Sequence, residues 1–257
     1  MEQGQAARAP ERVEVRVRNK EEGKDAAAAL APDPAETESK RESLKMPKIS
    51  PFQRYTGQYE NWFTEHRWVY KAELQAVKAL LPQSSRGLEV GVGTGRFAQP
   101  LGIKTGLEPS VRMREIAQER GIKILAGVAE DLPFCDGKFD LILMVTTVCF
   151  LDDIHKAFRE AHRVLANGGF FIAGIVDRNS PIGQKYLKHQ NESVFYKIAT
   201  FFSVDEVVKI MRQAGLTDFI FRQTIFRSLS EISENEPVKP GYGEGSFVAI
   251  RGRKEKI

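Results

Sequence analysis

The sequence has little cysteine and no long apolar run. Its two cysteines, Cys135 and Cys149, are too few for a disulfide framework in a chain of 257 residues, and they lack the spacing of a zinc site. Neither a run of roughly 18 apolar residues nor the apolar core of a signal peptide is present. These absences predict a soluble, cytoplasmic protein with no membrane partner.

Concentrated positive charge is also missing. The 38 basic residues are nearly matched by 34 acidic ones, and no run of Lys and Arg is interleaved with aromatic residues. Nucleic acid is therefore not predicted as a partner. The four histidines show no metal-ligand spacing with cysteine or carboxylates, so no metal is predicted. They are His66, His155, His162 and His189. No feature of the sequence specifies an oligomeric state.

Residues 1–45 differ in composition from the rest of the chain. They contain no aromatic residue, carry an Ala26–Ala29 run and balance acids against bases, unlike an acid-poor transit peptide. Such a segment buries too little apolar surface to offset the entropy lost on ordering. We predict a disordered extension, with Met46 as an alternative start, and one domain over residues 46–257.

The folded part begins with a helical pattern. Between Phe52 and Leu81 the apolar and aromatic residues recur at helical spacing, and Pro82 stops the pattern. Two consecutive helices are predicted here.

A glycine-rich stretch follows, from Gly87 to Phe97. Gly91, Gly93 and Gly95 alternate with other residues directly after a short apolar run. Glycine enters positive φ freely and has no Cβ to keep a ligand away. A glycine turn at the carboxyl end of a strand is where nucleotide-like ligands bind in α/β proteins, so this stretch predicts a ligand loop.

Two common nucleotide loops match this stretch poorly. The dinucleotide pattern G-x-G-x-x-G requires glycine where this chain has Arg96, and no Gly-Lys-Ser/Thr follows as in a P-loop. Glu108 ends the next predicted strand about 20 residues after Glu89, where a carboxylate can accept hydrogen bonds from a ribose. This position by itself does not separate nicotinamide from other ribose-bearing cofactors.

Strand and helix patterns alternate along the rest of the chain. A very short helix is expected after the glycine loop, and Asn167-Gly168-Gly169 reads as a helix C-cap. Alternation predicts a parallel sheet, and two final strands joined without a helix predict one antiparallel member. The predicted strands are 103–107, 122–125, 139–145, 170–176, 216–226 and 246–250, and the predicted helices are 111–120, 152–165 and 204–214.

Four motifs in order resemble a known family. Glu89 followed by G-x-G-x-G resembles motif I of the class I S-adenosylmethionine (SAM) dependent methyltransferases. The stretches Gly127–Phe134 and Phe139–Val145 resemble motifs II and IV of small-molecule enzymes related to the quinone-biosynthesis C-methyltransferases, the methyltransferase type 11 family. The predicted helix, the pair Gly168-Gly169 and the strand that follows also resemble this family. The resemblance covers roughly residues 55–250.

This resemblance implies a fold, a cofactor and an activity. The fold is a Rossmann-like, mostly parallel, seven-stranded sheet with helices on both faces and one antiparallel strand. The activity is methyl transfer from SAM to a small-molecule acceptor. Adenine presents an acceptor and an amine donor that a backbone N–H and a carboxylate match, here at Ala129 and Glu130. The implied cofactor contacts are Glu89, Gly91, Gly93, Gly95, Glu108, Ala129, Glu130 and Met144.

The acceptor side is less specified by the sequence. Because the sulfonium of SAM is already an activated leaving group, no catalytic base is required, and none is assigned. The aromatic-rich insertion Ser180–Phe202 is expected to help set substrate choice, and Cys149 is expected to be a small buried side chain. Two other functions stay open, a nicotinamide oxidoreductase and a SAM-binding regulator without catalysis. The candidate acceptor contacts are Tyr59, Thr146, Asp177, Tyr196 and Tyr242.

Overall fold

The structure is a computed structural model that describes residues 48–83 and 86–256. The predicted disordered extension and the alternative start at Met46 lie outside these residues. Within the described ranges, no helix combines the length and apolarity needed to cross a bilayer.

The first described segment folds into three helices instead of the two predicted. They are α1 (Ser50–Arg54), α2 (Thr56–Glu65) and α3 (Arg67–Lys78). The breaks fall at Tyr55 and His66, which have ψ values of 31° and 38° and so leave the helical region. The apolar spacing continues across both breaks, so periodicity alone did not reveal them.

One eight-stranded sheet forms the centre of the molecule. Its strands are β1 (Gly87–Val90), β2 (Thr105–Leu107), β3 (Lys123–Leu125), β4 (Phe139–Val145), β5 (Leu165–Val176), β6 (Leu216–Thr224), β7 (Lys239–Pro240) and β8 (Phe247–Lys254). Their order is β3-β2-β1-β4-β5-β8-β6-β7, with β1 to β5 parallel and β8 antiparallel to both of its neighbours. The mostly parallel sheet is confirmed, and the two-residue β7 adds an eighth, antiparallel strand.

Four further helices follow in the chain. They are α4 (Val111–Glu119), α5 (Ile154–Val164), α6 (Pro181–Lys188) and α7 (Val204–Gln213). Each begins after a Ser or Asp whose side chain accepts a backbone N–H of the first turn, which satisfies one of the unpaired donors there. Buried residues of α5 and α7 form one hydrophobic cluster and those of α3 and α4 form another. This arrangement agrees with the predicted helices on both faces.

Two local predictions were wrong. Turns occupy residues 91–102 where a very short helix was expected. The Asn167-Gly168-Gly169 run is not a helix C-cap, since α5 ends at Val164 and β5 begins at Leu165. The register shifts between Phe139 and Leu141 on β4, so the glycines accommodate a bulge within β5.

The sheet topology positions a ligand site. The chain runs outward from β1 to β2 and β3, then returns to place β4 on the other side of β1. This reversal separates the connections that follow β1 and β4 and leaves a crevice beyond their carboxyl ends. Ligands of open α/β sheets bind in such a crevice.

Candidate cofactor and acceptor site

The glycine loop directly follows β1 and has the predicted backbone. Gly91, Gly93 and Gly95 have φ values of +67°, +54° and +85°. Side chains other than glycine rarely adopt this region, so all three positions require glycine for conformation alone.

The three glycines face different surroundings. A Cβ on Gly91 would collide with the side chain of Thr147, and one on Gly93 would lie 3.1 Å from the hydroxyl of Tyr59. A Cβ on Gly95 would collide with Ile122 beside α4. The first two glycines therefore open a cavity, whereas Gly95 allows the loop to pack against the neighbouring helix.

Glu108 holds the glycine loop from the next strand. Its buried carboxylate accepts the backbone N–H of Gly93 at 3.0 Å and that of Ser110 at 2.9 Å. Burial raises the pKa of Glu108, although these two N–H groups and Arg114 oppose the shift. Each oxygen keeps a free lone pair, so the carboxylate can also accept from a ligand in the cavity.

A cavity of about 790 Å³, its open mouth included, lies above the glycine loop. Seven of the residues predicted to form the site line it. They are Tyr59, Gly91, Gly93, Glu108, Ala129, Glu130 and Thr146. We call this space the cofactor cavity.

Glu130 is partly committed within the protein. Its Oε1 accepts the backbone N–H of Asp152 at 2.8 Å and that of Asp153 at 3.2 Å, just before α5 begins. Its second oxygen is free of these bonds. Glu130 therefore fixes the loop that carries Asp152 and still offers one acceptor to the cavity.

Thr146 directly follows β4 and has a strained conformation. Its φ is +50°, an unusual value for a β-branched residue, and its N–H donates to the carbonyl of Gly174 at 2.8 Å. Such strain concentrates at functional sites because the surrounding structure has to maintain it. Here it turns the chain at the boundary between the cofactor cavity and a second cavity.

The second cavity, the aromatic chamber, has an empty volume of about 440 Å³. It shares Thr146 and Phe150 with the cofactor cavity. Burial raises the pKa of the Cys149 thiol in its wall to about 12, so this cysteine is an unreactive, mostly apolar group. The chamber is lined by Thr146, Val148, Cys149, Phe150, Ile175, Val176, Tyr186, Tyr196, Phe201 and Phe202.

An aromatic lid adjoins the cofactor cavity, and three of its four rings line that cavity. We define it as Phe52, Tyr59, Phe150 and Phe195, whose rings come from α1, α2, the turn after β4 and the insertion. The Phe52 ring lies 4.8 Å from Phe150, 5.3 Å from Phe195 and 6.2 Å from Tyr59, measured between centroids. The helices before the glycine loop thus meet the insertion above the cavity.

Arg96, which stands where the dinucleotide pattern has glycine, belongs to an ion-pair network. Its guanidinium binds Glu60 at 2.6 Å, and Arg120 binds the same carboxylate at 2.5 Å. Burial opposes ionisation, but hydrogen bonds from Arg120, Arg96 and Thr94 lower the pKa of Glu60 to about 2. This network ties α2 to the loop and positions Tyr59, the preceding residue, over Gly93.

The remaining predicted residues lie away from the cofactor cavity. Met144 is fully buried in the hydrophobic core, while Val145 and Thr146 after it line the cavity. Tyr196 lines the aromatic chamber. Asp177 is buried and accepts the N–H of Asn179, and Tyr242 is 42% exposed and donates to Asp205.

Glu89 lies beneath the loop, with its carboxylate nearly inaccessible to solvent. Its Oε2 finds no hydrogen-bond partner among the described residues. Burial raises its pKa well above the ordinary value, although a backbone bond from Ala98 opposes this. A buried acceptor without a partner is costly, which is a reason to expect a ligand donor nearby.

Several wall residues were not predicted from the sequence. Phe52 and Phe150 belong to the lid, and Lys48 donates to the Leu151 carbonyl at 3.3 Å beside the cavity. The aromatic spacing of the first helices was the available signal for Phe52. Nothing in the local sequence distinguishes Lys48 or Phe150. Within residues 48–83 and 86–256, no three His, Cys, Asp or Glu side chains cluster as metal ligands do.

The chain is similar to known proteins both in sequence and in structure. A methyltransferase domain family matches residues 88–173. A crystal structure of a Thermotoga maritima protein, described as a SAM-dependent methyltransferase and possible histamine N-methyltransferase, is 56% identical. It matches 80% of this chain and 100% of that one, with a TM-score of 0.79. The chain belongs to the SAM-dependent methyltransferases.

Two curated relatives extend this comparison. An uncharacterized protein of Methanocaldococcus jannaschii is 44% identical over 206 residues, which are 80% of this methyltransferase and 100% of the relative. The malonyl-[acyl-carrier protein] O-methyltransferase of Geobacter sulfurreducens is 28% identical over 232 residues, 79% of this chain and 82% of that one. The predicted family, enzyme class and SAM cofactor are confirmed, and the nicotinamide and non-catalytic alternatives are set aside.

The site of this methyltransferase fits SAM. Gly91 and Gly93 line the cavity with backbone, and the carboxylate of Glu108 keeps lone pairs that can accept from ribose hydroxyls. Bound SAM supplies a methyl group on a positively charged sulfur.

Proposed function

We propose that this methyltransferase acts on a small organic acceptor held in the aromatic chamber. The observation that carries the proposal is the chamber itself, a mostly apolar space that shares the wall residues Thr146 and Phe150 with the cofactor cavity. Apolar pockets with few polar groups suit small molecules.

We also propose roles for the residues of the cofactor cavity. Glu108 binds the ribose hydroxyls, because its free lone pairs lie at the end of β2. The free oxygen of Glu130 accepts from the adenine amine, and the backbone of Ala129 contributes beside it. Glu89 pairs with the ammonium. Met144 is buried in the hydrophobic core, so we propose that it holds the end of β4, and with it Val145 and Thr146, in place at the cavity.

The protein's part in the reaction is placement and exclusion of water. The packed lid rings of Phe52, Tyr59 and Phe195 are proposed to shield the cavity from water. The strained turn at Thr146 is proposed to fix the wall between the cavity and the chamber. Holding two reactants in line can lower a barrier by roughly 7–11 kcal/mol. No strong base is needed for an acceptor that is already nucleophilic.

The other candidate acceptor contacts lie in different places and so receive different proposed roles. Tyr196 lines the chamber, so it is proposed as an acceptor contact, and Tyr59 is proposed to act in the lid. Asp177 supports the turn after β5, and Tyr242 lies in a solvent-exposed loop. Both cysteines are free thiols, which supports a reducing compartment such as the cytoplasm.

The test is product capture with methyl-labelled SAM. The full chain is incubated with labelled cofactor and a cell extract, and the small and macromolecular fractions are counted separately. Label is expected in the small fraction, and Gly93→Val serves as the cofactor-free control. Label in protein or nucleic acid would refute the small-acceptor assignment.

A further inference from the structure

The aromatic chamber borders two other spaces. It shares Thr146 and Phe150 with the cofactor cavity, and it shares Tyr186 and Tyr196 with a pocket on the molecular surface. Because the two shared pairs are different residues, the chamber has one wall toward the cofactor and another toward the surface. All ten residues that line the chamber are buried or half-buried. An acceptor therefore has to pass one of these walls to reach it.

The surface pocket, which we call the outer pocket, is open to solvent. Its empty volume is about 700 Å³, the open mouth included. Three of its lining residues, Lys185, His189 and Glu192, are exposed, whereas Tyr186 and Tyr196 are half-buried. The two tyrosines therefore lie on the inner side of the outer pocket, where it meets the chamber. The full lining is Lys185, Tyr186, His189, Glu192, Ser193 and Tyr196.

The contact between the two tyrosines is made by their side chains. Their ring centroids are 4.4 Å apart, and the rings come from two short elements, α6 and the 3-10 turn Tyr196–Ile198. The main chain of both elements is held in place. Ser180 Oγ accepts the N–H of Gly183 at the start of α6, and Ser193 Oγ accepts the N–H of Tyr196 at 3.1 Å. A passage can therefore open by rotation of the rings, with the backbone unchanged.

The wall toward the cofactor is a poor entrance for the acceptor. The cofactor cavity is no longer free once it holds SAM, so an acceptor using this route would have to bind first. The methylated product would then be trapped until S-adenosylhomocysteine had left. Entry from the outer pocket avoids both constraints, and gated access of this kind is common in enzymes.

We propose that the acceptor enters the aromatic chamber from the outer pocket, between Tyr186 and Tyr196, so that acceptor and cofactor have separate entrances. We call these two residues the tyrosine gate. This inference rests on the proposed function, because it gives the route to the same chamber. Since the two rings border the passage, they also limit the width of the acceptor that can enter.

Cys149 provides a reporter for the test. It lines the chamber but neither the cofactor cavity nor the outer pocket. The second cysteine of the sequence, Cys135, is exposed and is removed by Cys135→Ser. The full chain carrying this change is treated with methyl methanethiosulfonate, with and without saturating S-adenosylhomocysteine. Mass spectrometry follows the labelling of Cys149, and rates are compared as ratios at one pH.

The tyrosine variants should control access to the thiol. Labelling of a covered group follows the population of the open form, so Tyr186→Ala and Tyr196→Ala should speed it at least about tenfold with S-adenosylhomocysteine bound. Tyr196→Phe keeps the ring and should keep the original rate. Ile175→Ala shortens a buried residue in another wall of the chamber and is the control, with a rate changed by less than about threefold. S-adenosylhomocysteine itself should change the rate of the parent chain by less than about twofold.

Three results overturn the inference. They are protection of Cys149 by S-adenosylhomocysteine in the parent chain, unchanged labelling in both tyrosine-to-alanine variants, and equal acceleration in Ile175→Ala. Urea unfolding verifies that each variant is folded, and Tyr186→Ala with Tyr196→Phe decides the test if Tyr196→Ala is not.

The labelling test needs no acceptor, so it fails separately from product capture. A small methylated product without acceleration in the tyrosine variants overturns the entrance and leaves the proposed function standing. Methyl label in macromolecules overturns the proposed function, and this inference with it, whatever the thiol rates are.

Discussion

The cofactor cavity and the aromatic chamber are neighbours, but they are built from different parts of the chain. The cavity floor consists of backbone, namely a glycine turn and the N–H groups that Glu108 accepts. The chamber wall consists of side chains from the turn after β4, the end of β5, α6 and the irregular segment between α6 and α7. A backbone site tolerates few substitutions, whereas a side-chain site can change its ligand with single residues.

This difference matches a division of labour in the enzyme. The part proposed to bind the cofactor depends on φ angles that glycine alone adopts easily. The part proposed to choose the acceptor depends on the side chains that line the aromatic chamber. We therefore expect substitutions in the two regions to separate cofactor binding from acceptor binding.

The largest effect is expected from Gly93→Val. The branched side chain would meet the Tyr59 hydroxyl and occupy the cavity, so SAM affinity should fall by at least about a hundredfold. Gly102→Val is the matched control, since Gly102 also has positive φ, at +74°, but open space around it. Both variants should lose stability through backbone strain, and calorimetry should detect SAM binding only in the control. Equal SAM affinity in the two variants contradicts the role of the loop.

Glu73→Gln is expected to change the pH dependence of stability. The folded pKa of about 8 exceeds the ordinary value of 4.5, so the folded state binds more protons between these values and loses stability as pH rises from 4.5 through 8. The variant should match the wild type near pH 4.5 and gain about 2–4 kcal/mol relative to it by pH 9. Urea unfolding across this range measures the difference. A constant difference would show that Glu73 has its partner already.

Glu108→Ala is expected to weaken SAM binding by about 1.5–3 kcal/mol, the scale of lost hydrogen bonds to a charged group. Part of the loss comes from the Gly93 N–H, which loses its acceptor. Glu115→Ala, at an exposed position on α4, is the control and should bind SAM normally. Calorimetry on both variants tests this, and an unchanged dissociation constant for Glu108→Ala removes the residue from the site.

The smallest effect concerns the chamber. Tyr196→Ala should raise KM for the acceptor about tenfold, with SAM affinity unchanged within about twofold, because the ring lines the chamber and not the cofactor cavity. Tyr242→Ala changes the same residue type in an exposed loop and should leave both constants unaltered. Steady-state kinetics beside SAM calorimetry decides this. Parallel losses of both constants in Tyr196→Ala would mean that the two regions act as one site.

Much of the cofactor site was predictable because it depends on local sequence. The glycine loop, the carboxylate after β2 and the Ala129-Glu130 pair all occur at strand ends, and parallel strands bring their carboxyl ends to one edge of the sheet. Met144 is buried in the core and the next two residues line the cavity, so its contact with the cofactor stays a prediction. Glu130 lines the cavity and its contact with the adenine stays a prediction, while its bonds to the loop before α5 were not foreseen.

The sequence by itself determined the order of strands and helices, the glycine turn and its carboxylate partner, and from these the family and the cofactor. Each of these features depends on the conformational range of single residues or on the periodicity of a short segment. Tertiary structure alone decided that Phe52 meets Phe195 and Phe150 beside the cavity, and that the ring of Tyr186 packs against that of Tyr196. These contacts join residues distant in the chain, and their energy depends on burial, which the sequence does not state.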